Sequence, residues 1–322
     1  MTKTKRLISV FMIAGFCLSG VFAFAGNASA AAAKSQTVRF GAPPWPGVTI
    51  KTGIASKILQ TLGYRTVTKQ LDVPIILNGI AHGQIDVYLG GWTPVEDPMI
   101  KPLLKKGQAV ELAPNISDAI EGLAVPTYVW KAGVHDVADL NAHAAKFDHK
   151  IYGIEAGSGI NNAVEKAIKE NKAHLGNWNL VQSSTSGMLV QVKRAVRRHD
   201  WLVFVGWRPH WMNIKFHMKY LSDKHHTGTA NLNSIVYTVV PTDYTKTHPN
   251  VARFLKQFRI PAKVQSGWIY EFSYKKEKKK VVVERWLKQH PKLLANWLDG
   301  VTTASGEPGL KAVKDAIANG NL

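Results

Sequence analysis

Cysteine is nearly missing from this chain: 322 residues contain one, Cys17. It lies in the apolar stretch Leu7 to Phe24, which follows Lys3, Lys5 and Arg6 and precedes Ala28-Ser29-Ala30, a small-x-small pattern of the kind signal peptidase cuts. Residues 1–30 therefore read as a cleaved signal peptide, with a mature chain from about Ala31. Phe16 stands where a lipoprotein signal needs a small residue, so no lipid anchor is expected. A mature chain without cysteine can hold no disulfide and no thiolate metal site, and its stability must come from its core. Long apolar runs are scarce as well. None after the leader approaches the ~20 residues of a membrane helix, so the expected product is an exported soluble protein, periplasmic where the cell has an outer membrane.

Acidic residues are also few: 22 Asp and Glu face 41 Lys and Arg, a formal charge of +19. Such an excess invites a nucleic-acid reading. Export removes the usual targets, and the densest run, Lys275-Lys276-Glu277-Lys278-Lys279-Lys280, reads as the solvated face of a helix, so no nucleic-acid partner is expected. A basic field does not help to hold a cation; aromatic faces would have to do so. Catalytic motifs are missing too: there is no Gly-x-Ser-x-Gly elbow, no His-Glu-x-x-His and no P-loop. His210 and the pair His225-His226 have no carboxylate or cysteine at metal-binding spacing. The chain is expected to be no enzyme and to carry neither cofactor nor metal.

What is present is an alternation of strands and helices. Val38 to Gly41 reads as a strand. Ile50, Ile54, Ile58 and Leu62 then recur every fourth residue, an amphipathic helix ended by Gly63. Tyr64 to Leu71 (strand), Val73 to His82 (helix) and Ile85 to Leu89 (strand) complete a βαβαβ unit, the signature of a parallel sheet. A second unit repeats this order: strand Lys150 to Ile154, helix Ile160 to Asn171, strand Leu180 to Ser183, helix Gly187 to Arg198, strand Trp201 to Val205. Between the units Leu112 to Trp130 must carry the chain across, and Phe216 to Val240 must carry it back. The expected division is residues 31–122 with 230–322 as lobe I and 123–229 as lobe II, an α/β protein of two lobes joined by a two-strand hinge, with a cleft between them.

Both units end alike, in Gly91-Trp92-Thr93-Pro94 and Gly206-Trp207-Arg208-Pro209, each putting an indole at the C-terminal end of a strand, where open α/β sheets bind ligands. Trp45, in Pro43-Pro44-Trp45-Pro46, has the same setting after the first strand. Three desolvated cation–π contacts at about 2 kcal/mol each supply much of the roughly 8 kcal/mol of micromolar binding. Trp130, Trp178, Trp201, Trp268, Trp286 and Trp297 read as packing residues. Gly157-Ser158-Gly159-Ile160-Asn161 lets backbone N–H groups open a helix toward an anion. An aromatic cage facing a helix N-terminus suits a zwitterion with a quaternary ammonium at one end and a carboxylate at the other.

The segments Asp86 to Pro94, Ile151 to Gly157, Gly187 to Val192 and Phe204 to Asn213 resemble the substrate-binding proteins of glycine betaine, choline and carnitine ABC importers. The resemblance implies a type II periplasmic binding protein fold, a monomer that closes on a quaternary amine and docks to a membrane permease. It assigns the cage to Trp45, Trp92 and Trp207 and the ligand's polar end to Ser158, Gly159 and Asn161. Choline-specific members carry an aspartate two residues after the first cage tryptophan, where this chain has Gly47, and a tyrosine from the first crossing, where it has Gly122. Glycine betaine is thus the expected ligand, with carnitine or choline as alternatives; an exported enzyme acting on a quaternary amine is the alternative of another class.

Overall fold

The computed structural model describes residues 37–321; the signal-peptide reading and Cys17 fall outside them. Nine strands form one sheet: β1 Thr37–Ala42, β2 Arg65–Gln70, β3 Val87–Thr93, β4 Ala109–Pro126, β5 Lys150–Tyr152, β6 Asn179–Val181, β7 Val203–Arg208, β8 Met218–Tyr220 and β9 Leu232–Pro241. Their order is β2-β1-β3-β9-β4-β7-β5-β6, with β8 on β4. The two expected βαβαβ units occupy its two ends: β1 pairs parallel with β2 and β3, and β5 pairs parallel with β6 and β7. The predicted crossings are the antiparallel centre. β4 pairs with β9 from Ala109 to Glu121 and with β7 from Ile120 to Ala124, so at Ile120 and Glu121 it is flanked on both sides.

Helix α1, Pro46–Thr61, begins directly after Trp45, with proline at its first position, where the missing N–H costs nothing. Its predicted apolar face is buried: Ile50, Ile54, Ile58, Leu59 and Leu62 are fully enclosed, each contributing about 1.5–3 kcal/mol of burial. Helix α2, Val73–Ala81, buries Val73, Ile76, Leu77 and Ile80. Helix α3, Asp97–Lys105, follows β3. In the second unit, helix Gly159–Lys169 lies between β5 and β6, and helix Thr185–Arg198 follows β6, with Ser184 Oγ accepting from Gly187 N as its N-cap. The late chain adds helices Pro249–Gln257, Ala262–Ile269, Lys279–Gln289, Pro291–Trp297 and Gly309–Ala318. Trp178, Trp268, Trp286 and Trp297 are buried and Trp130 and Trp201 pack against the core, as expected of them.

Two local expectations are corrected. Trp92 and Trp207 lie at the C-terminal ends of their strands, but β3 and β7 run on past Leu89 and Val205 through both Gly-Trp pairs, because β9 and β4 supply backbone partners there, Val236 opposite Trp92 and Glu121 opposite Trp207. The basic run is not one helix face. Lys275 to Lys278 precede the helix that opens at Lys279, the chain first passing through a wide π turn at Tyr270–Tyr274.

Candidate functional site

Trp45, Trp92 and Trp207 converge. With Gly47, Val48, Glu121, Ile154 and Gln265 they line a cavity of about 20 Å³, room for about one water molecule. Two of the indoles are held from behind. Trp45 Nε1 donates to Glu155 Oε2 at 3.0 Å, and Glu155 also accepts from Thr185 N at 2.8 Å and Thr185 Oγ1 at 2.9 Å. Trp207 meets the His210 ring edge-on at 5.0 Å between centroids, and Asn213 Nδ2 donates to the carbonyls of Trp207 and His210. Burial drives the His210 pKa down to about 3, so the ring stays neutral, with Nδ1 accepting from Met212 N at 3.1 Å. A second, solvent-open groove of about 810 Å³ lies between Pro44, Pro46, Thr185, Trp211 and Tyr274, bordered by Lys193, Arg197, Lys215 and Lys276.

One acid lines the cavity and a second stands close to it. Glu121 is 6% exposed, its Oε2 has no hydrogen-bond partner, and burial pushes its pKa up to about 8. Glu96 is fully buried and accepts from Tyr88 OH at 3.1 Å; burial first, and then the charge of Glu121, raise its pKa well above the usual carboxylate range. No lysine, arginine or histidine lines the cavity. Neither acid was singled out by the sequence reading. The signal available for Glu121 was a lone acidic residue in Ala119-Ile120-Glu121-Gly122-Leu123-Ala124, an otherwise apolar or small stretch at a chain crossing.

That stretch also corrects the expectation placed on Gly122. The residue the first crossing contributes to the cavity is Glu121. Gly122 is where the crossing chains touch: a Cβ there would lie 2.7 Å from Ala230 Cα and Asn231 N, and its φ of 153° suits only glycine. At Gly47 a Cβ would lie 2.7 Å from Gln265 Nε2, so Gln265 fills the space this glycine leaves. Gln265 Oε1 is buried without a partner. It reaches the cavity from helix Ala262–Ile269, remote in sequence, and nothing local marked it.

Ser158, Gly159 and Asn161 are beside the cavity and not on its wall; Ile154 is the residue of their loop that lines it. Asn161 is spent on that loop: Oδ1 accepts from Ile154 N at 3.1 Å, and Nδ2 donates to the carbonyls of Ile154 at 3.0 Å and Glu155 at 3.1 Å. Gly159 is a point of close approach, since a Cβ on it would lie 2.7 Å from the Val95 carbonyl carbon and oxygen. Ser158 is the N-cap residue of helix Gly159–Lys169, 2% exposed, with its Oγ unpartnered.

The chain is similar to known proteins. The model of the family described as the substrate binding domain of ABC-type glycine betaine transport systems matches residues 36–289. A solved ABC-transporter choline-binding protein in complex with choline is 34% identical, with a TM-score of 0.83 over 87% of this chain and 98% of that one. Lactococcal OpuAC, closed on glycine betaine, is 27% identical, with a TM-score of 0.72 over 81% of this chain and 99% of that one. The glycine betaine/carnitine transport binding protein GbuC of Listeria monocytogenes is 31% identical over 163 residues, which is 50% of this chain and 53% of that protein.

Proposed function

The chain belongs to the family of substrate-binding domains of ABC-type glycine betaine transport systems, and from that premise we propose that it captures a quaternary ammonium compound in the cavity between Trp45, Trp92 and Trp207. Its fold is that of the type II periplasmic binding proteins, and the family binds and delivers substrates rather than transforming them. The convergence of three indoles from three separate elements on one buried cavity carries the reading. Indole faces attract a desolvated cation by about 2 kcal/mol each, and a methylated ammonium loses little hydration on entering them.

Delivery is proposed to follow the family's pattern: export by the leader, action as a monomer outside the inner membrane, and docking to the permease of an ABC importer. The lobes are 31–122 with 230–322, and 123–229, the chains crossing at Gly122 and Ala230. A cavity of about 20 Å³ is smaller than a trimethylammonium group, so the lobes must part to admit a ligand and close to seal it. Ser158 and Gly159 are proposed to act with the ligand's polar end from the helix N-terminus, Asn161 serving by fixing their loop.

Isothermal titration of the mature protein against glycine betaine, choline and carnitine tests the class. Micromolar or tighter binding of at least one is expected, and absence of heat with all three overturns the reading. Trp92→Ala and Trp207→Ala are each expected to weaken binding at least tenfold, since about 2 kcal/mol exceeds the 1.4 kcal/mol of a decade.

A further inference from the structure

The cavity wall holds one ionisable side chain, Glu121, and no basic one. Two unpartnered buried atoms belong to wall residues, Glu121 Oε2 and Gln265 Oε1, and both are oxygen. Behind the wall stands a second carboxyl, Glu96, close enough to Glu121 for the charge of each to matter to the other, its own partner being the Tyr88 hydroxyl. The indole N–H of Trp45 is already taken by Glu155 at 3.0 Å. The site therefore offers a ligand π faces and a carboxyl group that can ionise to meet a positive charge, and no wall cation to meet a negative one.

We propose that Glu121, backed by Glu96, is a charge selector that makes the ligand a net monocation, a quaternary ammonium with an uncharged tail, in preference to a zwitterionic betaine. The inference rests on the proposed quaternary-ammonium function and refines it. A monocation entering the indoles takes the place of the Glu121 proton as that carboxyl's partner, leaving the pair neutral. A betaine brings its own carboxylate within a few bonds of the ammonium, and that group faces Glu121 and Glu96 with no wall cation to offset it. The proposed monocation departs from the glycine betaine expected from Gly47 of α1, on the ground of a residue of β4.

The discriminating ligands are glycine betaine and its amide, which have almost the same shape and differ in tail charge, together with choline. Titration calorimetry of the mature protein is expected to give Kd values at least tenfold lower for betaine amide and choline than for glycine betaine. Glu121→Gln, which keeps the shape of the wall, is expected to reduce that ratio at least tenfold. Equal or tighter binding of glycine betaine, or a ratio unchanged in the variant, overturns the selector. If Glu121→Gln does not fold, the wild-type ratio between the amide and glycine betaine decides alone. Failure of all three ligands to bind overturns the quaternary-ammonium reading instead.

Discussion

An ionised carboxylate gives up several kcal/mol of hydration on burial unless a partner replaces the water, and Glu121 has no such partner on the cavity wall. Its pKa of about 8 means that at pH 6 it is protonated and neutral, and at pH 9 ionised. The groups about it are Glu96, Tyr88 and Tyr220, all pushed upward in pKa mainly by burial, and Arg208, which lies near Tyr220. His210, next to Trp207, is neutral throughout this range. If a monocation binds the ionised form, its affinity rises with pH up to about 8 and then levels, by at least tenfold between pH 6 and pH 9. Calorimetry with choline across that range should show the rise, and Glu121→Gln should flatten it. A fall with pH would mean that the protonated carboxyl is the binding form. The raised pKa of Glu121 makes the ligand-free protein bind more protons folded than unfolded between about pH 4.5 and 8, so this acid lowers its stability as pH rises through that window.

At the scale of elements, the site is assembled by backbone partners as much as by side chains. β4, 18 residues long, pairs with β9 along its first part and with β7 near its end, and Glu121 falls where the two pairings overlap. Lys51 of α1 ties this centre to its helix: its Nζ donates to Asn115 Oδ1 at 2.6 Å, and Asn115 Nδ2 donates to Thr238 Oγ1 on β9 at 3.1 Å. Burial lowers the Lys51 pKa to about 7. The N-terminus of helix Gly159–Lys169 packs on the turn after β3, and in the proposed division this contact joins one lobe to the other. Gly159→Ala would set a methyl 2.7 Å from the Val95 carbonyl, and backbone cannot yield by changing rotamer. Ligand affinity is expected to fall at least tenfold, while the ligand-free melting temperature moves by less than the ~2–4 °C that 1 kcal/mol gives in a protein of this size. Preserved affinity with a lowered melting temperature would make the contact part of the resting fold rather than of closure.

For the whole molecule, the charge of +19 and the cavity are separate matters. The cavity wall carries no lysine or arginine, whereas Lys193, Arg197, Lys215 and Lys276 border the second groove. The long crossing strands that unite the sheet are also the only proposed hinge, so closure must be secured by contacts such as Trp45 to Glu155. Small-angle scattering should show the radius of gyration falling when a binding ligand is added. Glu155→Ala should weaken affinity about fivefold, the effect of ~1 kcal/mol for one hydrogen bond. An unchanged radius would mean that ligand enters without lobe movement.

From sequence alone, the twofold βαβαβ order, the two crossings and the three tryptophans that line the cavity were legible, because each is local: a period along a helix, a run in a strand, an indole beside glycine and proline. The apolar face of α1 and the parallel pairings of β1 and β5 follow that pattern closely. The fourth side of the cavity was decided only by tertiary structure. Glu121 is brought to the cavity where β4 is flanked by both β7 and β9, and Gln265 fills the space at Gly47 from a helix near the other end of the chain. Neither placement has a local signature, since a side chain's burial and charge state depend on which strands and helices are brought against it, and the sequence records those neighbours only through the completed fold.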